Sequence, residues 1–117
     1  MKNKIIFSLD TSEQKTCPMA YESVARMLNG TLGQGSYKGE KETCIIVDQK
    51  HYEQVEDIAK SYNQESILII DDNKIELNYL KQNTFEEIGK TMTVISEEQA
   101  QLELAYTMIN GQYYKAT

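Results

Sequence analysis

Three short polar stretches hold the residues with most chemistry to offer. Thr11 and Ser12 follow the first apolar run, Tyr37, Lys38 and Glu40 precede the second, and Asn63, Gln64 and Glu65 precede the third. An aromatic ring can stack on a base, a lysine can meet an anion, and hydroxyls and amides can read polar edges. Together these eight form an expected ligand-binding set for a nucleotide-like small molecule, with no catalytic residue, metal or cofactor among them. The same residues also have a plainer reading. Glycines make turns, Tyr37 packs on the rim of a sheet, and Asn63 and Gln64 cap a helix.

Other constellations fall short of chemistry. The only histidine, His51, stands near Asp48 but has no serine or cysteine nucleophile at a recognisable spacing. One histidine and two scattered cysteines, Cys17 and Cys44, give no zinc-ligand pattern. "GTLGQGSYKG" (residues 30–39) is glycine-rich, yet it lacks the Gly-Lys-Ser/Thr ending of a phosphate-binding loop and does not match a dinucleotide fingerprint. The acid pairs Glu86-Glu87 and Glu97-Glu98 are sequence neighbours and need not converge, and the second pair suits a helix N-terminus. A binder without enzymatic activity is the expectation, with a small enzyme built on the same loops as the weaker alternative.

The elements that must carry these residues are legible in outline. "KIIFSL" (4–9) is a strand, and a helix starts at Pro18, which suits the first turn, and ends at Asn29-Gly30. "ETCIIVD" (42–48) is a second strand, and "HYEQVEDIAKSYN" (51–63) a helix with Tyr52, Val55, Ile58, Ala59 and Tyr62 on one stripe. "ESILIID" (65–71) reads as a central strand covered on both faces, and "KIELNYL" (74–80) as its hairpin partner after the Asp72-Asn73 turn. "TMTVIS" (91–96) is a fifth strand. Ser96 and Gln99 form a capping pattern for a last helix through Ala100, Leu104, Ala105, Met108 and Ile109. The predicted fold is α/β (α+β): one mixed sheet of about five strands with three helices, ordered β-α-β-α-β-β-β-α, in a single domain over 1–117. Loops at the strand ends then meet along one edge, where ligands sit.

Composition bounds the rest. The chain has 117 residues, 40% apolar and 26% charged, with a net charge of −6 and one arginine, Arg26. No basic cluster is present to neutralise phosphates, so nucleic acid is not expected as the main partner. No apolar run approaches a membrane span, and the N-terminal apolar stretch is too short for a signal peptide. A cytoplasmic protein with two free thiols is the expectation. Tyr79, Tyr106, Tyr113 and Tyr114 crowd the C-terminal part and suggest a homodimer interface.

The block "GSYKGEKETCIIV", followed by "VEDIAKSYNQESILIID" and "IELNYL", resembles a family of small bacterial and bacteriophage proteins of uncharacterised function over residues 33 to 80. The matching positions are Gly35, Tyr37, Gly39 and Glu42, then Gln64, Glu65 and Ser66. The resemblance implies a phage-type protein acting in the host cytoplasm. One function it suggests is sequestration of a nucleotide signal of host defence. The alternative is an acidic inhibitor or regulator that binds a host protein.

Overall fold

The computed structural model describes residues 1–117. Its strands are β1 (Lys4–Phe7), β2 (Thr31–Tyr37), β3 (Glu40–Asp48), β4 (Ser66–Ile70), β5 (Ile75–Tyr79), β6 (Thr84–Gly89), β7 (Met92–Ile95), β8 (Tyr106–Ile109) and β9 (Gln112–Ala116). The helices are α1 (Pro18–Met27), α2 (Tyr52–Ser61) and the single turn α3 (Glu97–Ala100). All nine strands join one sheet in the order β6-β5-β4-β1-β3-β2-β8-β9-β7, and every pairing is antiparallel.

This sheet curls into a nearly closed barrel. Its two edge strands, β6 and β7, are consecutive in sequence and joined at Lys90-Thr91. There the Lys90 N–H donates to the Thr117 carbonyl at 2.8 Å, and the Thr117 N–H donates to the Thr91 carbonyl at 2.9 Å.

The expected five-stranded mixed sheet is therefore wrong, and the errors have physical causes. Glycine is depleted in strands, so "TLGQGSY" read as loop although it forms β2. A Cβ at Gly33 would stand 2.8 Å from the Met108 carbonyl, and one at Gly35 would stand 3.0 Å from that of Tyr106. The glycines let β8 pair closely on that side. The last helix shrinks to one turn, although Ser96 Oγ does accept from the Gln99 N–H at 3.1 Å. Asn110-Gly111 does not stop a helix. Both residues have positive φ (51° and 79°) between the paired Ile109 and Gln112, the two-residue turn that a hairpin favours. The tyrosine-rich end becomes β9, and the rings of Tyr106 and Tyr113 pack against each other with centres 5.6 Å apart and planes tilted by 56°.

Alternation along the central strands separates two apolar faces. Ile5, Phe7, Ile45, Val47, Ile67 and Ile69 face Tyr21, Val24 and Ala25 of α1 and Val55 and Ala59 of α2. At roughly 1.5–3 kcal/mol for each large side chain buried, this face carries most of the apolar stabilisation. Ile6, Cys44, Ile46, Ile70, Ile75 and Met92 form a second cluster inside the barrel. "SILII" is apolar on both faces because one meets helices and the other meets this interior. No helix is long and apolar enough to cross a membrane. Cys17 is exposed, Cys44 is buried, and both are free thiols.

Candidate functional site

A cavity of about 510 Å³ opens at one end of the barrel interior, within the usual size range of small-molecule sites. Antiparallel pairing explains what gathers there. The C-terminal end of β1 lies between the N-terminal ends of β3 and β4. Phe7 pairs with Ile45 and Ile6 with Leu68. Continuing both registers brings Asp10 level with Glu42 on one side and Gln64 on the other. On the far side of β3, Glu42 pairs with Gly35. The polar mouth is thus a row running across the strands, above the apolar floor of Ile6, Leu68, Leu77 and Met92.

All eight residues expected to bind a ligand line this cavity. Thr11 and Ser12 lie in the loop after β1, where Thr11 Oγ1 accepts from the Gln14 N–H at 3.1 Å. Tyr37 ends β2, and its hydroxyl is buried without a hydrogen-bond partner. Lys38 occupies the two-residue β2–β3 turn, and Glu40 follows it. Asn63 takes a positive φ of 57° just beyond α2, while the Gln64 N–H donates to the Ala59 carbonyl at 3.0 Å, ending the helix. That ending aims Gln64 inward, where its Nε2 donates to the Asp10 carbonyl at 2.6 Å. Glu65 accepts from Lys38 Nζ at 3.0 Å across the mouth, and this hydrogen bond raises the Lys38 ammonium above the ordinary lysine pKa.

Sequence reasoning missed the inner wall. Asp10 is buried, and its Oδ1 accepts from the Thr16 N–H at 2.7 Å. Its own N–H donates to Ser8 Oγ at 3.1 Å. Ser8 Oγ in turn lies 2.9 Å from the hydroxyl of Tyr21, which also receives the Leu9 N–H and donates to the Thr43 carbonyl. Tyr21 thereby pins the loop after β1 to β3 from the helix side. Burial, and then the charge of Asp10, push the Glu42 carboxyl from 4.5 to about 7, against the opposing pull of Lys15. Burial and Glu42 push the Cys44 thiol up to about 12, so it stays protonated. The available signal was the strand period. Glu42, Cys44 and Ile46 alternate onto one face, so a strand covered on that face carries a partly buried acid at its end.

The wall is therefore acidic inside, and the two lysines that line the cavity are already paired, Lys38 with Glu65 and Lys115 with Glu103. Such a cavity suits a ligand bearing a positive charge, not the anion that Lys38 alone suggested. Residues 9–117 match the model of the S-Adenosylmethionine lyase family. The chain belongs to this family. It has no match among the curated proteins.

Membership in the S-adenosylmethionine lyase family overturns the expectation of a non-enzymatic binder, because a lyase family is a family of enzymes. It also replaces the resemblance to proteins of uncharacterised function over residues 33 to 80 with a match across most of the chain. The expectation of a small-molecule partner stands in coarser form. S-adenosylmethionine joins an adenosine to an amino acid through a sulfonium ion.

Proposed function

We propose that the protein is an S-adenosylmethionine lyase and that the cavity in the barrel is where the substrate is cleaved. One observation carries this reading: two carboxylates, Asp10 and Glu42, stand side by side on the wall of a cavity with an apolar floor. A sulfonium cannot shed its charge by losing a proton, so drawing it out of water needs an anion close by. Asp10 supplies that anion from a position held by Thr16 and Ser8. Glu42, poised at about 7, adds charge only as the pH rises or as the cation arrives.

Breaking a carbon–sulfur bond of the substrate leaves both electrons on sulfur, which becomes a neutral thioether. The carbon it leaves gains a bond from the substrate's own carboxylate oxygen and closes a lactone, so the sulfonium and carboxylate charges cancel and no second reactant is needed. Positive charge is lost on the way to the transition state. A wall that held the cation too firmly would favour the bound substrate over that state. Apolar neighbours favour loss of charge, and Ile6, Leu68, Leu77, Ile88 and Met92 surround the space below the two acids. Tyr37, Tyr106 and Tyr114 give this cavity aromatic surface for the adenine.

The test is direct. Purified protein incubated with S-adenosylmethionine should convert it to an uncharged thioether nucleoside, resolved by chromatography and identified by mass. Asp10→Asn keeps the oxygen that accepts from Thr16 but removes the charge, and should slow turnover by roughly 10²–10³, the scale for losing one preorganised electrostatic group. Wild-type protein without turnover, or Asp10→Asn and Glu42→Gln variants as fast as wild type, would overturn the reading.

A further inference from the structure

Six non-glycine residues have positive φ. Asn3, Asn29, Asn63, Asn83 and Asn110 are five of them, and Lys38 is the sixth. Asparagine tolerates this conformation well, whereas lysine gains nothing from it. Its partner in the turn, Gly39, fits without strain at φ 83°. An Asn-Gly turn, as at Asn110-Gly111, would serve the hairpin better. Strain that the fold tolerates at the mouth of a cavity suggests a use for the side chain.

That side chain reaches across the mouth. Lys38 Nζ lies 5.3 Å from the centre of the Tyr37 ring and 3.0 Å from Glu65 Oε1. The pair links the β2–β3 turn to the junction between α2 and β4, directly above the row formed by Gln64, Asp10 and Glu42. Both side chains are more than half exposed, 65% and 54%, so their mutual attraction is screened and opening the pair costs little.

We propose that Lys38 and Glu65 read the amino-acid end of the substrate, Lys38 taking its carboxylate and Glu65 its ammonium group. This rests on the proposed lyase function and deepens it by orienting the substrate, with sulfonium inward and zwitterion at the mouth. An α-amino acid carries the same two charges as the ion pair it would enter. Each protein charge exchanges one partner for another of the same sign, so neither is left bare. Glu65 is a specificity residue under this inference, and Lys38 discriminates substrates that have a carboxylate from those that lack it.

Three probes separate the possibilities by calorimetry: S-adenosylmethionine, its decarboxylated analogue, and methylthioadenosine, which lacks the amino-acid end. In wild-type protein S-adenosylmethionine should bind more tightly than the decarboxylated analogue. Lys38→Met should weaken S-adenosylmethionine by roughly tenfold or more, the scale of one lost charge-assisted hydrogen bond. It should leave methylthioadenosine unchanged and erase the preference over the decarboxylated analogue. Glu65→Gln should weaken both ligands that carry the ammonium group and spare methylthioadenosine. Were the pair only a staple across the mouth, either substitution would move all three probes together or move none, and that result overturns the inference while leaving the lyase reading intact. Wild-type protein that binds none of the three would overturn both.

Discussion

A carboxyl group held at about 7 inside a protein leaves a signature in stability as well as in binding. Glu42 keeps its proton more tightly when folded than when unfolded, about 7 against 4.5. Its contribution to stability is therefore complete below about 4.5 and disappears as the pH rises through about 7. The full shift corresponds to about 3 kcal/mol, and screening by solvent leaves roughly half of that for this partly buried carboxyl. Glu42→Gln should thus be more stable than wild type by roughly 1–2 kcal/mol above neutrality and indistinguishable from it at acid pH, a difference that melting curves across pH would show. Binding runs the other way. A cation beside Glu42 favours its ionised form, so wild-type affinity for S-adenosylmethionine should tighten as the pH rises through about 7, and the Gln variant should lose that slope. Lys38 poses a complementary test. Lys38→Asn relieves an unfavourable backbone conformation and should raise the stability of the β2–β3 hairpin by about 0.5–1 kcal/mol while weakening substrate binding, the usual opposition of stability and function at a site.

Among the elements, β2 matters most for the shape of the site, because it carries Gly35 opposite Glu42 and ends in Tyr37. Its glycines keep neighbouring backbone close. Gly33→Val would place a Cβ 2.8 Å from the Met108 carbonyl, a backbone atom that cannot rotate away. This should cost roughly 1–3 kcal/mol in chemical denaturation, whereas Thr31→Val, exposed on the same strand, should change stability little. Equal melting of the two variants would show that β8 is not held against β2 as described. The same glycines explain what was illegible in the sequence. Apolar strands such as "KIIF" and "SILII", and the stripe of α2, are visible because burial writes a period into the chain. β2 has no such period, since its fit comes from side chains that are missing. The apolar residues after Ala100 happen to fall at helical spacing, yet Leu102 and Leu104 are 86% and 71% exposed, so no helical face was ever buried there. The polar residues lining the cavity were legible because they stand at strand ends. The decisive acids were not, because Asp10 and Glu42 come together only when register is known.

Closure governs the molecule as a whole. A curled sheet encloses a cavity only while its edges stay together, and here β6 and β7 meet at the short link through Gly89, Lys90 and Thr91. Three backbone hydrogen bonds tie Lys90 and Thr91 to Thr117, at 2.8, 3.4 and 2.9 Å. Gly89 allows this approach, since a Cβ there would stand 3.0 Å from the Thr117 nitrogen and 3.1 Å from its oxygen. Ile88 and Met92, on either side of the link, both line the cavity. The helix-side core, centred on Ile5, Ile45, Val55 and Ala59, lies on the other face of the sheet. Gly89→Val should therefore separate site from fold. The seam should loosen, with faster hydrogen exchange at the Lys90, Thr91 and Thr117 amides, while amides of β1, β3 and β4 keep their protection. Affinity for S-adenosylmethionine should fall as the floor of the cavity gives way, with global stability lowered by about 1 kcal/mol or less, since the larger core is untouched. If exchange at the seam stayed slow in the variant, the barrel would be held shut by something other than the approach of Gly89 to Thr117. If protection fell throughout the sheet instead, closure of the seam and packing under the helices would be one cooperative unit, and the cavity could not open without unfolding the protein.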